Sequence, residues 1–190
     1  SSDLWSNMAA FLTASALRPD SHIFCQCLYS ASGQGDRKIL SRLGNFGAEI
    51  HSEGFAAGAY HGELRGTMID IDPTPDLLPV LAVMACAAQG QTVFGNAGRL
   101  RLKESDRIES TAAMIRSLGG SVETEAEKII IHGTGSLCGG TVDAMNDHRI
   151  VMALASVCTV NGGTIDGAEA VKKSFPDFFE KIGKAGIVLD

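Results

Sequence analysis

The sequence predicts an α/β fold made of three copies of one unit, with helices inside and strands outside. Three recurring markers point to it. An aspartate leading into an apolar, helix-like run occurs at Asp3, Asp76 and Asp147, spaced 73 and 71 residues. A second aspartate recurs at Asp36, Asp106 and Asp177, spaced 70 and 71. A glycine closing a second helix recurs at Gly47, Gly119 and Gly186, spaced 72 and 67. One period shared by three markers is the signature of a repeat architecture. The competing arrangement is an ordinary α/β sandwich whose spacings coincide.

The unit reads in order as follows. Its leading aspartate starts a helix, where a carboxylate accepts bonds from free N–H groups and suits the dipole. The helix that follows, such as Leu77 to Ala88, lacks a polar face and is expected to be buried on all sides. Its alanines allow close approach of neighbours. The second helix is amphipathic: Ile108, Met114, Ile115 and Leu118 oppose Arg107, Glu109 and Arg116. A glycine suited to a left-handed cap ends it. Short β-type runs come next, such as 128–132 and 164–165. Gly133-Thr134-Gly135 and Gly139-Gly140 read as turns. Three first helices then bundle centrally and the sheets shield them, inverting the usual layer order. The expected organisation is one domain, 1–190, with repeats at roughly 1–68, 69–140 and 141–190.

Composition narrows the function. Apolar residues make up 45% and charged residues 20%, so the chain can bury a core and is not disordered. A net charge of −6 argues against a general nucleic-acid binder. Trp5, Phe24 and Tyr29 form no stacking array for single strands. Cys25 and Cys27 are too close for a usual zinc pair, and His22, His51, His61 and His132 lack metal spacing, so no metal is expected. Cys86 and Cys158 lie in apolar runs and read as buried thiols; reduced thiols suit a cytoplasmic protein. No signal peptide opens the chain, and its apolar runs are too short for a bilayer.

Charged residues gather at three places. In Arg99-Leu100-Arg101-Leu102-Lys103, the cations alternate and would share one face of an extended segment. Glu104, Ser105, Asp106 and Arg107 follow at a helix start, a natural site for phosphate or carboxylate. The alternative is a solvated charge run. Asn146-Asp147-His148-Arg149 abuts the apolar run from Ile150; there the alternative is a cap with a satisfied histidine. Lys172-Lys173-Ser174-Phe175-Pro176-Asp177 occupies the place in the third unit that 103–106 holds in the second. Convergence of helix starts on one face favours a functional site. Ser32-Gly33-Gln34-Gly35 lacks a phosphate loop's Lys-Ser/Thr ending and reads as a turn.

Four strings resemble the EPSP synthase family in order and separation: Pro75-Asp76, Arg101 to Ile108 (RLKESDRI), Asn146 to Ala153 (NDHRIVMA) and Lys173 to Asp177 (KSFPD). The resemblance spans the whole chain but only part of the family's length. It matches the C-terminal half of a two-domain enolpyruvyl transferase. It implies βαβαββ units in an inside-out barrel with buried helices, the EPT/RTPC-like domain. It also implies transfer of the enolpyruvyl group of phosphoenolpyruvate to the 5-hydroxyl of shikimate 3-phosphate, releasing phosphate, without cofactor or metal.

By resemblance, Asp76 contacts shikimate 3-phosphate and is a candidate base, and Lys103 is a shikimate 3-phosphate ligand. Glu104 suits proton transfer beside the reacting carbon. Arg107, Arg149 and Lys173 form a cationic clamp for phosphoenolpyruvate, with Lys173 also catalytic. His148 orients Glu104 or the departing phosphate. Where the family often has an asparagine, two residues before Arg101, this chain has Arg99. The implied partner is the missing N-terminal domain. The full-length enzyme is expected to be monomeric and the isolated chain inactive. The rivals are the related transferase acting on UDP-N-acetylglucosamine and a non-catalytic repeat domain.

Overall fold

A computed structural model describes residues 4–28, 33, 35–103 and 106–185. Its elements run α1 (Leu4–Leu17), β1 (Phe24–Cys25), α2 (Ile39–Asn45), β2 (Glu49–Glu53), β3 (Ala56–Tyr60), β4 (Met68–Asp70), α3 (Leu78–Ala87), β5 (Gln89–Gly95), α4 (Arg107–Ser117), β6 (Ser121–Thr124), β7 (Ile129–Thr134), β8 (Thr141–Asp143), α5 (His148–Asn161), β9 (Thr164–Asp166) and α6 (Phe178–Lys184). Short 3-10 turns at Gly35–Lys38, Pro75–Leu77, Gly98–Leu102 and Ala168–Lys173 lead into or follow the helices.

The middle unit is a complete βαβαββ, β4-α3-β5-α4-β6-β7. Its sheet has the order β4-β5-β7-β6, with β4 parallel to β5 and the other pairs antiparallel. Among the described residues the first unit lacks the leading strand and the third ends after α6. Their sheets accordingly have three strands, β1-β3-β2, and two, β8-β9. Strand β4 begins at Met68, so the expected boundary at 68/69 cuts a strand.

The first helices are buried as their composition requires. Eleven residues of α1 and nine of α3 are buried, as are ten at the front of α5. Each of these helices carries a fully buried alanine (Ala10, Ala82 and Ala153), a side chain small enough to suit close packing. The hydroxyl of Ser156 on α5 donates to the carbonyl of Ala10 on α1 at 2.9 Å. The helices point the same way. Arg107 joins the starts of α3 and α5, while Leu17, Ala87 and Asn161, at the ends of α1, α3 and α5, line one cavity of about 230 Å³. Helix α1 has 14 residues and is therefore about 21 Å long, so its start lies far from that cavity.

Several sequence expectations change in register. Asp76 does not cap α3. Thr74 holds the N-cap position of the 3-10 turn Pro75–Leu77 that leads into α3, whose own N-cap position is Leu77, and the Thr74 N–H bonds to the carbonyl of Ile71 as that of Asp147 bonds to Ala144. The structural counterpart of Asp147 is thus Thr74, and Asp76 matches Arg149. Asp106 is a true cap, accepting from the N–H groups of Ile108 and Glu109. Asp177 sits at the N-cap position of α6 without a side-chain bond, and Asp36 lies within a 3-10 turn. Gly47 and Gly119 have φ of +99° and +76°, the left-handed caps expected of them. Asp3 and Gly186 lie outside the described residues. Gly133 is in β7, not a turn; a Cβ there would lie 2.1 Å from the carbonyl oxygen of Ala88 and 2.2 Å from that of Ala85.

Candidate functional site

The starts of α3, α4 and α5 meet at Arg107. This residue was expected on the polar face of α4, yet it is only 1% exposed. A buried guanidinium is tolerable only when paired, and its pairing is extensive. Nε donates to Asp147 Oδ2 at 3.0 Å, and Nη1 donates to Asp76 Oδ1 at 2.6 Å. Asp147 is itself fully buried and also caps α5 by accepting from the N–H of Arg149 at 2.9 Å.

Around this core stand the other expected cations. Lys103 Nζ lies 3.2 Å from Asp76 Oδ1, and Arg149 Nη2 lies 3.8 Å from Asp76 Oδ2. Burial pushes the Asp76 carboxyl upward, but Arg107, Arg149 and Lys103 together outweigh it and hold it below its ordinary range. Asp76 is therefore a firmly ionised carboxylate and, in this state, a weak base. Arg149 is 6% exposed, and its Nε and Nη1 have no acceptor among the described residues. Among the described residues three cations, Lys103, Arg107 and Arg149, face two carboxylates, Asp76 and Asp147. The cluster lies at the positive ends of α3 and α5.

Lys173 joins this face through the backbone before α5. Its Nζ donates to the carbonyl of Asn146 at 2.8 Å and to Asn146 Oδ1 at 2.6 Å. Met145 and Asn146 have φ of +49° and +57°. Two successive left-handed residues turn the chain sharply, an unfavourable conformation for methionine. His148 is buried at the first position of α5. Glu104 lies outside the described residues.

The expectation that Arg99, Arg101 and Lys103 share one face is overturned. Gly98–Leu102 is a 3-10 turn, whose period of three sends alternate side chains in different directions. Arg99 pairs with Asp72 at 3.1 Å in an exposed position. Arg101 reaches Asp106 Oδ2 at 2.8 Å and the carbonyls of Glu125 and Ala126. Only Lys103 turns to Asp76. Sequence reasoning also left Asp147 out of the site. The signal was available: two cations expected beside an apolar helix require a buried counter-charge.

Of the thiols, Cys25 and Cys86 are buried and pushed up to about 12, while Cys27 and Cys138 are exposed. Cys158, expected to be buried, is intermediate. No group of three or more His, Cys, Asp or Glu among the described residues could hold a metal ion. No helix among them is long and apolar enough to cross a membrane.

Comparison with known proteins agrees with this architecture. The family profile described as EPSP synthase (3-phosphoshikimate 1-carboxyvinyltransferase) matches residues 2–182. The 3-phosphoshikimate 1-carboxyvinyltransferase of Clostridium kluyveri is 40% identical over 189 residues, covering 98% of this chain and 44% of the relative. That of Methanocella arvoryzae is 43% identical over 163 residues, covering 84% and 38%. The chain thus spans less than half the length of these relatives. The structure of EPSP synthase from Acinetobacter baumannii superposes with a TM-score of 0.78 at 29% identity, covering 95% of this chain and 45% of that one. The enolpyruvyl transferase NikO from Streptomyces tendae shares the fold, with a TM-score of 0.73 at 16% identity over 96% of this chain and 42% of its own.

Proposed function

Because the chain belongs to the EPSP synthase family, we propose that it is the C-terminal half of a 3-phosphoshikimate 1-carboxyvinyltransferase, with a second domain completing the site. Its three units, taken as 1–68, 69–140 and 141–190 with the first boundary moved to just before Met68, form an inside-out barrel around α1, α3 and α5. The reaction adds the 5-hydroxyl of shikimate 3-phosphate to C2 of phosphoenolpyruvate while C3 gains a proton. C3 then gives up a proton as the C2–O bond to phosphate breaks, and the enol ether remains.

The observation that carries this reading is Arg149. A nearly buried guanidinium with two nitrogens lacking acceptors, in a cluster whose described residues hold more cations than carboxylates, calls for an oxyanion. Fixed cations of this kind stabilise negative charge on the intermediate and on departing phosphate. Arg149 and Lys173 take phosphoenolpyruvate, Lys103 takes the phosphate of the other substrate, and Asp76 faces its ring hydroxyls. Glu104 serves proton transfer, and His148 orients it or the leaving phosphate. Arg107 belongs to the same clamp for phosphoenolpyruvate, and in the free chain Asp76 and Asp147 hold it in place. No cofactor or metal enters this chemistry. The whole enzyme is placed in the cytoplasm as a monomer.

The test is phosphate release from phosphoenolpyruvate plus shikimate 3-phosphate, with this chain alone and with a separately expressed N-terminal half. Activity only in the mixture is expected. No activity in the mixture, with both halves folded, would leave a diverged binding domain.

A further inference from the structure

The first sheet carries a surface that the catalytic reading does not use. Its order is β1-β3-β2, so β2 is an edge strand, and all five of its residues are exposed. Phe24 on β1, Gly58 on β3 and His51 on β2 stand in one row of pairing partners. Side chains alternate along a strand, so Glu49, His51 and Glu53 share a face with Phe24 and Tyr60. The opposite face holds the buried Cys25, Ala57 and Ala59, so this face is the outer one. Tyr60 stacks on His51 with ring centroids 4.6 Å apart. A recess of about 350 Å³ opens among Phe24, His51, Ser52, Glu53 and Tyr60. Of the six large apolar residues exposed among the described ones, Phe24, Ile50 and Phe55 lie in this sheet or its turn. Tyr60 precedes His61, whose ring bonds to the carbonyl of Ala16 near the end of α1, so the recess lies toward the pole away from the helix starts.

We propose that β2 and this recess form a docking edge for an extended segment of a partner protein that carries basic residues at alternate positions. An edge strand turns alternate peptide groups outward, and a strand laid beside it bonds to them. Every second residue of the added strand then stands beside Glu49, His51 or Glu53. The two carboxylates favour cations at the outer positions. The central cation meets the recess, where the exposed face of the Phe24 ring attracts it. The residues between them lie on the Ile50 side and suit β-branched side chains. Charge also decides what does not dock. An acidic or neutral strand brings no counter-charge to the two glutamates. A second copy pairing antiparallel about His51 sets Glu49 of each chain against Glu53 of the other, a like-charge contact. None of these residues belongs to the phosphoenolpyruvate clamp, so this edge stands or falls apart from the catalytic reading.

Fluorescence anisotropy of a labelled, capped Lys-Val-Arg-Val-Lys peptide tests this on the wild-type chain and two surface variants. Both glutamates are exposed, so Glu49→Gln/Glu53→Gln keeps the fold. Wild type is expected to bind, with affinity reduced about tenfold in Glu49→Gln/Glu53→Gln and about threefold in Phe24→Leu. The same residues reordered as Val-Lys-Arg-Lys-Val, which breaks the alternation, are expected to bind about tenfold more weakly than the alternating peptide. No binding of the alternating peptide, or binding indifferent to either variant, overturns the proposal. Equal binding of the reordered peptide overturns it too, because net charge alone then suffices. Sedimentation equilibrium of the free chain checks the rival occupant. A monomer is expected, and a dimer broken by Ile50→Lys would give the edge to a second copy and overturn the proposal.

Discussion

At the scale of single residues, the cluster couples stability to acidity through Asp76. Its folded carboxyl titrates below the ordinary 3.8. A depressed carboxylate contributes stability that is present above its unfolded value and lost as pH falls through the lower folded one. Urea melts across pH 2–7 should show Asp76→Asn less stable than wild type near neutrality, with the gap closing below about pH 4. A constant gap would sink this account. Asp147 is the harsher case, because its removal leaves Arg107 buried with a missing partner. Asp147→Ala is expected to cost about 3–5 kcal/mol and to lower the melting midpoint sharply. Thiol reactivity gives a separate check. Burial keeps Cys25 and Cys86 protonated, since their values rise to about 12. Iodoacetamide at pH 8 should label exposed Cys27 and Cys138 first and leave these two unmodified until the chain unfolds.

At the scale of elements, the site depends on how α4 begins. Asp106 accepts two backbone N–H bonds and also receives Arg101. Arg101 in turn donates to carbonyls in the β6–β7 turn. The cap thus fixes both the first turn of α4, where Arg107 sits, and the loop that presents Lys103. Asp106→Ala should cost about 1–2 kcal/mol, the upper range for a lost cap, read as a lower denaturation midpoint by circular dichroism. Gly133 tests the packing of the sheet on α3. The modest penalty of an ordinary glycine-to-alanine change does not apply, because backbone oxygens at 2.1 and 2.2 Å cannot retreat. Gly133→Ala should fail to fold, or lose several kcal/mol, while Gly54→Ala, with open space around it, pays only for its positive φ.

At the scale of the whole molecule, three parallel helices collect their positive ends on one face. Each carries about half a unit charge at its start, so the fold favours anions there before any side chain is chosen. Ala82 is fully buried in α3, in a core packed to native density. Ala82→Leu should destabilise by roughly 1–3 kcal/mol through overpacking, a loss visible in thermal melts. The same melts should show phosphate protecting the wild-type chain, since a ligand bound only to the folded state raises its stability.

Much of this molecule was legible along the chain. Its buried first helices and its amphipathic α4 follow from local pattern, because helix burial depends on neighbours three or four residues away, and its family followed from four short strings. Lys103 and Arg149 were legible as candidates for the same reason. Tertiary structure alone decided what each charge does. Alternation along 99–103 suggested a shared face, but the 3-10 turn sent Arg99 to Asp72 and Arg101 to Asp106. Arg107 read as lying on the polar face of α4, yet folding buries it between Asp76 and Asp147, which lie 31 and 40 residues away in sequence. Periodicity registers which face a side chain occupies on its own element; which counter-charge it meets is set by how separate units pack, and that pairing decides whether a cation stays available for a ligand.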